Sequence, residues 1–499
     1  MNTPCEAPVS ITSRHTNPGR FFWLLGLIAI VAFTQLPALA QSEKRESLQN
    51  AHSRLLPTGI DIEVAENDEK PLVLGVSAPR RWKPSRLCMD YGQAAPLDRI
   101  ETVVPLTFSE ARDAVIQTVR AARQAPAVEE IGLEGAGGRV LAEDIAADRD
   151  SPAVARSVRD GYAVHAIDLP GELQVIGEVR AGERFGGQVG PGQAVEIMTG
   201  APVPEGADAV VMVEYSKRAN DLVRIDGSAE PHQFINPQGC EAAAHETVLH
   251  SGKRLDYADI AMLAAFGRGQ VKVYRQPAVA IIATGDEIVE VEQLPEEFQI
   301  RNSNARSLAA QVARAGGTPQ LLPVARDTVE HTREMIERGL AADLLLLSGG
   351  VSAGKYDVVE EVLAGLGAEF FFDRVLIQPG QPLVFGRARG KFFFGLPGNP
   401  ASTMVTFEIF ARAALELLAG QEEIGLHMPL ARLTREFHHR IGLTRFLPAR
   451  LSADGGAVTP VEWHGSGDIP ALTRANAYLV ADADRAEYPR GELIRVLPK

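Results

Sequence analysis

The chain has 499 residues, of which 45% are hydrophobic and 23% charged, and its formal net charge is −14 at pH 7. These proportions are ordinary for a soluble globular protein of several domains, and the acidic balance argues against a nucleic-acid polymer as partner, because such binding depends on a basic face. The three cysteines are far apart and odd in number, which indicates neither a disulfide framework nor a zinc site.

Residues 1–105 form an extension whose first part has the pattern of a secretory signal. The segment 21–40, FFWLLGLIAIVAFTQLPALA, is apolar and ends in the small residues of a signal-peptidase site. Residues 41–105 show no sustained period, so we expect them to be poorly ordered. For segment 21–40 three interpretations stay open: a cleaved signal, a membrane anchor, or a start codon assigned too far upstream.

Regular patterning begins near residue 106. The segment LTFSEARDAVIQTVRAA predicts a helix capped by Thr107 or Ser109, with an apolar face that includes Val115 and Val119. Short β-like runs between glycines follow, and DYADIAMLAAFGRG predicts a closing helix with a glycine at its end. We therefore expect residues 106–272 to form a β-rich module with flanking helices.

Residues 273–420 alternate between apolar strand-like runs and helical segments. PAVAIIATG, QLLPVARD and DLLLLSGG predict strands, and the segments between and after them predict helices. Continuous apolar strands that alternate with helices indicate a parallel sheet covered on both faces. Ligands of such sheets bind at the carboxyl ends of the strands, so we expect the loops ATGDE, VARDT and SGGVSAGKYD to line one crevice.

The last segment, 425–499, contains short strands separated by Gly, Pro and Asp-Gly turns, which is typical of a small β-barrel. The predicted fold class is therefore α/β multidomain. It combines a central parallel α/β sheet domain, an inserted β-rich module with flanking helices, and a small C-terminal β-barrel.

The loop SGGVSAGKYD, residues 348–357, is one residue short of the phosphate loop G-x-x-x-x-G-K-[ST], because Tyr356 stands where a hydroxyl would bind magnesium. Backbone N–H groups at a helix amino terminus still suit a phosphate, and Asp357 provides a local acid. The alternative interpretation is a tight strand-to-helix turn with a solvated Lys355.

Further loops at the same predicted edge carry polar groups or rigid turns. TGDE places two carboxylates directly after a buried strand, where they can hold a hard cation or cap the following backbone. RNSN offers amides and a hydroxyl at a helix start. PGQP and GLPGNP are rigid turns whose backbone can approach a flat ring closely.

These loops, together with two motifs of the first module, occur in the order and approximate spacing of the MoeA family. The motifs are DGYAV, IMTGAPVPEGADAVV, ATGDE, NSN, SGGVSAGKYD, PGQP and FGLPGNPAS. Residues 105–499 thus resemble the MoeA proteins, which are related to the carboxyl-terminal part of gephyrin. No part of the resemblance reaches the extension.

The resemblance implies insertion of molybdenum from molybdate into adenylylated molybdopterin, with release of AMP and with Mg²⁺ as cofactor. It also implies a homodimer and contact with other cofactor-biosynthesis proteins or molybdoenzymes. The implied location is cytoplasmic, in conflict with the export pattern of segment 21–40.

Matching the family's motifs residue by residue assigns catalytic roles to Asp160, Thr199, Glu287, Asp327 and Asp357. Of these, Glu287 and Asp357 are the expected magnesium ligands, while Asp160 and Thr199 are expected to come from the second subunit. The expected substrate contacts are Ser303, Asn304, Ser348, Gly349, Gly350, Ser352, Lys355, Arg374, Gln378, Gln381, Pro397 and Pro400.

Departures from the family pattern concern mainly positive charge. The turn QPGQP has Gln378 and Gln381 where lysines are usual, and a glutamine offers an anion only a dipole. Arg374 can compensate. The segment FINPQGCEA has Asn236 where the family has an arginine. The residues that precede DGYAV lack the family's usual PxFDNSAM motif.

Two other functions stay open. A molybdopterin adenylyltransferase shares the sheet domain, but would be expected to carry a GGTG-type loop where this chain has GGVSAG. A non-catalytic molybdopterin-binding scaffold is favoured by the loss of basic residues at the anion sites.

Overall fold

The computed structural model describes residues 105–350 and 358–499, together with the short strands Val64–Ala65 and Val73–Leu74. The chain divides into two units, residues 1–98 and 99–499. In the first unit the two short strands pair antiparallel. The predicted export segment 21–40 lies outside the described residues, and no helix in the described part is long and apolar enough to cross a bilayer.

The second unit begins with helix Phe108–Ala122, which Thr107 caps. The Thr107 hydroxyl accepts a hydrogen bond from Glu110 N, and the Thr107 backbone N–H donates to Glu110 Oε2. Both hydrogen bonds of a capping box are therefore formed. The buried face, which includes Val115 and Val119, packs into the core of the sheet domain. The predicted cap and apolar face are therefore confirmed.

A β-rich module follows. Its six-stranded sheet has, in spatial order, Ser216–Ala219, Leu222–Ile225, Gly171–Val179, Gln193–Ile197, Gly161–Val164 and Ala209–Met212. Two-stranded pairs join Arg156–Ser157 to Ile235–Asn236, Ile145–Ala146 to Thr247–Leu249, and Val128–Gly132 to Gln270–Tyr274. Short 3₁₀ turns lie at Leu133–Gly135, Ala166–Asp168 and Val213–Tyr215, and helix Tyr257–Ala265 is capped by Asp256.

The central sheet has four parallel strands, in the order Thr318–Leu321, Ala278–Ala283, Leu344–Ser348 and Lys391–Leu396. It continues with Pro382–Ala388, which runs antiparallel to Lys391–Leu396, and with Glu369–Arg374, which runs antiparallel to Pro382–Ala388 and so in the direction of the four parallel strands. The sheet is thus mixed rather than wholly parallel. The reason is the tight turn at Arg389 and Gly390, since a two-residue connection can join only antiparallel strands.

Helices cover both faces of this sheet, as predicted. They are Ser303–Arg314, Val329–Gly339, Val358–Gly365, Pro400–Thr406 and Arg412–Leu418, with a π-helical turn at Phe407–Ala411. One buried apolar cluster lies on each face. Strands Ile288–Val289 and Ile300–Arg301 form a small parallel pair beside the sheet.

The C-terminal part is a closed five-stranded barrel of Leu430–Leu433, Thr444–Leu451, Ala457–Pro460, Ala477–Ala481 and Leu493–Pro498. Helix Ile469–Arg474 and the pair Phe437–His438 with Glu487–Tyr488 lie beside it. The short strand Ile377–Gln378 of the sheet domain pairs with the start of Thr444–Leu451. The predicted β-barrel is therefore present, and this pairing attaches it to the sheet domain.

Candidate active site

The carboxyl ends of the parallel strands lie next to one another, and backbone hydrogen bonds continue beyond the strand ends. Thr284 N donates to Ser348 O over 3.0 Å, and Gly349 N donates to Leu396 O over 3.1 Å. Thr284 also forms an isolated parallel bridge with Ala325. The loops that follow three neighbouring strands are therefore held at one edge, where a doubly wound sheet binds its ligands.

Asn304 connects two of these loops. Its Nδ2 donates to Ser348 Oγ over 2.9 Å and to Gly398 O over 2.7 Å. Its Oδ1 is buried and has no hydrogen-bond partner among the described residues. Because an unpaired buried amide oxygen is costly, this atom is suited to accept a hydrogen bond from a ligand. The neighbouring Ser303 begins the helix and is half-buried, whereas Asn302 caps it.

The glycines after strand Leu344–Ser348 pack directly on Thr284. A Cβ at Gly349 would lie 2.8 Å from Thr284 O, and one at Gly350 would lie 2.7 Å from Thr284 Oγ1. Both glycines have positive φ, 96° and 62°, which favours glycine. Ser352, Lys355 and Asp357, the other candidates of this loop, lie outside the described residues.

The next turn, at Pro397–Pro400, closes on this glycine loop. A Cβ at Gly398 would lie 3.6 Å from Gly349 Cα. Pro397 is buried and its carbonyl accepts from Thr403 Oγ1 over 2.5 Å. Pro400 begins its helix, where the missing N–H of a proline is tolerated.

Carboxylates gather at the same edge, after the strands that end at Ala283 and Leu321. Asp327 N donates to Asp286 Oδ1 over 3.4 Å, so these loops touch. The exposed Glu287 folds back over Gly285, where a Cβ would lie 2.4 Å from Glu287 Oε2. No group of three or more metal-ligating side chains occurs within residues 105–350 and 358–499. Mg²⁺ often binds through only one or two carboxylates and completes its shell with substrate phosphates. The few carboxylates at this edge therefore fit the ligand preferences of Mg²⁺.

The turn at Gln378–Gln381 lies at the same edge of the sheet and next to the barrel, because the pairing of Val384 with Gly395 brings the start of strand Pro382–Ala388 beside the end of strand Lys391–Leu396. A Cβ at Gly380 would lie 2.4 Å from Thr406 Cγ2, so the backbone is packed against helix Pro400–Thr406. The side chain of Gln378 is exposed, and Gln381 is half-buried. Arg374, exposed, pairs in register with Pro382 immediately after the turn.

Asp160 and Thr199 meet in the β-rich module. Asp160 Oδ1 accepts from Thr199 N over 2.6 Å and from Thr199 Oγ1 over 2.8 Å. These two donors, the backbone N–H first, lower the pKa of Asp160 below its ordinary value, so the carboxylate stays ionised near neutral pH. Both residues are exposed, and no hydrogen bond among the described residues joins them to the loops of the central sheet.

Three family models match consecutive parts of the chain. They are described as "MoeA N-terminal region (domain I and II)" for residues 106–267, "Probable molybdopterin binding domain" for 280–417, and "MoeA C-terminal region (domain IV)" for 430–499. A molybdopterin molybdenumtransferase of Staphylococcus epidermidis is 34% identical over 377 residues, which are 74% of this chain and 90% of the relative. The chain belongs to the MoeA family.

Other MoeA relatives agree over most of their length. A molybdopterin molybdenumtransferase of Staphylococcus aureus is 31% identical over 396 residues, which are 77% of this chain and 94% of the relative. Two crystal structures of molybdopterin biosynthesis MoeA protein from Pyrococcus horikoshii are similar in fold. Their TM-scores are 0.60 and 0.66, their identities 31% and 29%, and they cover 79% of this chain and 99% and 100% of their own.

Two residues of the MoeA-like crevice were missed by the sequence-based assignment. Thr284 is 5% exposed, and its Oγ1 has no partner among the described residues. Arg326 donates through Nη1 to Asp286 O over 3.2 Å and to Ile288 O over 3.3 Å. These two hydrogen bonds hold the acidic loop, residues 284–288, in place. Both lie in motifs that contain an assigned residue, Thr284 three residues before Glu287 in ATGDE and Arg326 directly before Asp327 in ARDT, and that position is the signal that could have identified them.

Proposed function

We propose that this MoeA protein inserts molybdenum from molybdate into adenylylated molybdopterin, producing molybdenum cofactor and AMP. The observation that carries the proposal is the joining of the Ser348–Gly350 and Pro397–Pro400 loops by Asn304, next to the carboxylates of the acidic loop. This arrangement offers backbone and side-chain dipoles for a phosphorylated pterin and oxygen ligands for a metal ion.

The chemistry requires that several negative charges be held together. The substrate carries phosphates and the second substrate is an oxyanion, while the chain as a whole has a net charge of −14. Backbone N–H groups of the glycine loop supply partial positive charge to a phosphate. Glu287 and Asp357 would hold Mg²⁺, which supplies charge neutralisation at the phosphoanhydride that is cleaved.

Asp160 and Thr199 would complete the site from a second copy of the chain. They are exposed and hydrogen-bonded to each other, and they make no hydrogen bond to the crevice of their own chain among the described residues. A homodimer in which the β-rich module of one subunit faces the crevice of the other would bring an ionised carboxylate to the substrate. In this proposal Asp160 orients the reacting groups, and Thr199 keeps it ionised.

The cellular setting follows from the substrates. Adenylylated molybdopterin is made and used in the cytoplasm, so we place the catalytic body there. Its expected contacts are enzymes that supply the adenylylated pterin and molybdoenzymes that accept the cofactor. Amino-terminal sequencing of the native protein tests this location: a mature chain that begins directly after residue 40 would contradict it.

A single assay separates the proposed function from its alternatives. The purified full-length chain is incubated with adenylylated molybdopterin, Mg²⁺ and molybdate, and AMP is measured. AMP formed only when molybdate is present supports the insertase. Substrate bound without AMP formation would instead support a scaffold, which the neutral side chains of Gln378 and Gln381 favour. Consumption of ATP with free molybdopterin would favour an adenylyltransferase.

A further inference from the structure

We propose that Arg156 supplies the positive charge with which the β-rich module binds a phosphate of the adenylylated pterin. Arg156 belongs to an exposed patch, here called the Asp160 patch, that also contains Arg159, Asp160 and Thr199. The identity of the ligand rests on the proposed function. The position of the guanidinium is inferred from the strand pairing of Arg156 with Asn236.

Backbone hydrogen bonds hold the segment of Arg156 between two other segments of the module. Ser157 N donates to Ala201 O over 3.0 Å, on the side of the turn that contains Thr199. On the other side, Val158 N donates to Phe234 O over 3.0 Å. The segment is therefore fixed relative to the loop that holds the carboxylate of the patch.

Strand pairing sets the direction of the Arg156 side chain. Strands Arg156–Ser157 and Ile235–Asn236 are antiparallel, with Ser157 opposite Ile235 and Arg156 opposite Asn236. Ser157 is 2% exposed and Ile235 packs against an apolar cluster of the module, so this pair faces inwards. Because successive side chains of a strand point to opposite faces, Arg156 and Asn236 face outwards together. The Cβ atoms of such a pair are about 5 Å apart.

The pair of Arg156 and Asn236 reverses the residue types of the family motifs. The family has an arginine at the position of Asn236, and its PxFDNSAM motif, which ends directly before DGYAV, has an asparagine at the position of Arg156. Since register partners project from one face, either strand can present a guanidinium to the same ligand. In this chain the arginine and the asparagine have therefore exchanged strands.

The guanidinium of Arg156 is available to a ligand. The side chain is exposed, and it forms no hydrogen bond or ion pair within the part of the chain that the structure describes. By contrast, three other arginines of the module, Arg180, Arg218 and Arg224, each pair with a carboxylate. The charge of Arg156 is thus not neutralised by a neighbour as the charges of these three arginines are.

Arg159 adds a second positive charge to the Asp160 patch. Its Cζ lies 5.8 Å from the centroid of the Phe234 ring, and its Nη1 donates to Val158 O over 3.3 Å. Phe234 comes two residues before Asn236 in the chain. These contacts hold the second guanidinium against the same segments that position Arg156.

A phosphate fits the charges of the patch. The ionised carboxylate of Asp160 would by itself repel the phosphates of the substrate, and two guanidiniums offset that repulsion. A guanidinium also offers donors in a planar fork that matches two oxygens of one phosphate. Arg156 would bind the phosphate, while Asp160 orients the reacting groups.

Binding of adenylylated molybdopterin to the full-length protein, measured by equilibrium dialysis without molybdate, tests this inference. We expect Arg156→Asn to weaken binding roughly tenfold, which is the loss of one charge-assisted contact at an exposed site. The double variant Arg156→Asn/Asn236→Arg should regain most of the lost affinity, because it returns a guanidinium to the same face. Unchanged binding in Arg156→Asn, or no recovery in the double variant, would overturn the inference.

The matched control is Arg224→Asn, which removes an exposed arginine that pairs with Asp226 and should bind as wild type. Added salt should weaken binding by wild type more steeply than binding by Arg156→Asn, because salt screens an exposed charge. A purely structural role of Arg156 would leave the two salt dependences equal, and that result would contradict the inference. In the AMP assay, Arg156→Asn should raise KM more than it lowers kcat.

The same measurements separate this inference from the proposed function. A protein that forms cofactor and binds adenylylated molybdopterin equally well as wild type and as Arg156→Asn refutes only the role of Arg156. Binding that depends on Arg156 without formation of cofactor refutes only the proposed function.

Discussion

The contact between Asp160 and Thr199 shows how one residue sets the charge of its neighbour. Two donors from Thr199, the backbone N–H and then the hydroxyl, lower the pKa of Asp160. A carboxyl group with a depressed folded-state pKa contributes stability above its unfolded-state pKa, and that contribution disappears as the pH falls through the folded-state value. The same depression keeps the carboxylate of Asp160 ionised under mildly acidic conditions.

Thr199→Val should therefore shift the pH profile of the enzyme. The variant keeps the backbone donor and loses the hydroxyl, so the pKa of Asp160 rises towards its ordinary value. We expect the acidic limb of kcat to move to higher pH, while activity near neutral pH falls less. Thr199→Ser, which keeps the hydroxyl, should retain the wild-type profile. An acidic limb at the same pH in Thr199→Val and wild type would contradict the role of this contact.

Asn304 is the second residue whose individual contacts lead to a prediction. Asn304→Ala removes two hydrogen bonds and leaves Gly398 O without its donor, so we expect a loss of about 1–3 kcal/mol in the free energy of unfolding, measured with urea. The KM for adenylylated molybdopterin should rise as well. The control is Asn302→Ala, which removes only the helix cap and costs about 1 kcal/mol. An equal rise of KM in both variants would refute a specific role of Asn304.

At the scale of elements, the glycine loop is defined by its close packing on a strand end. Gly350 has φ 62°, and a Cβ there would lie 2.7 Å from Thr284 Oγ1 and 2.9 Å from Val359 Cγ2. Gly367, which follows the next helix, also has positive φ, 74°, but nothing lies within 4 Å of its Cβ position. Substituting alanine at each of the two positions therefore separates the cost of the left-handed backbone from the cost of crowding by neighbouring atoms.

Gly350→Ala and Gly367→Ala should therefore differ in urea unfolding. Gly367→Ala should lower the free energy of unfolding by about 1–2 kcal/mol, because an alanine there must adopt the left-handed backbone conformation. Gly350→Ala adds crowding of about 1–3 kcal/mol, and the displaced loop should also lose molybdate-dependent AMP release. If both variants lose the same stability and the same activity, the loop is not held as described.

The elements differ in how well the sequence predicts them. Strand Leu344–Ser348 is a continuous apolar run and was predicted, as was helix Phe108–Ala122 with its cap at Thr107. The mutually antiparallel strands Glu369–Arg374 and Pro382–Ala388 were not, because neither EFFFDR nor PLVFGRA alternates between apolar and polar residues and their pairing shifts in register. Local patterns carry no information on which strand becomes a neighbour.

In the candidate site, too, local motifs were predictable from the sequence and contacts between distant segments were not. Ser348, Gly349 and Asn304 were identified by their motifs, and the loops that contain them meet at one sheet edge because parallel strands bring their carboxyl ends together. The pairing of Gln378 with Arg445 links two segments far apart in the chain, and neither segment has a local signal for it. Pairings of this kind become visible only in three dimensions.

At the scale of the whole molecule, the proposed site requires two subunits. Asp160→Ala and Glu287→Ala should each abolish cofactor synthesis as homodimers. When the two variants are unfolded together and refolded, or coexpressed, mixed dimers contain one site with both native residues. We expect recovery of roughly a quarter of wild-type activity from an equal mixture. No recovery, with mixed dimers demonstrated by mass spectrometry, would show that both residues act within one subunit.

The central claim is that the protein transfers molybdenum to the pterin rather than only cleaving or binding it. The most direct measurement is the molybdenum content of the pterin product, separated from the full-length protein after reaction with adenylylated molybdopterin, Mg²⁺ and molybdate. We expect molybdenum in the pterin fraction in an amount equal to the AMP released, and neither product with Glu287→Ala. AMP released without molybdenum in the pterin fraction would contradict it.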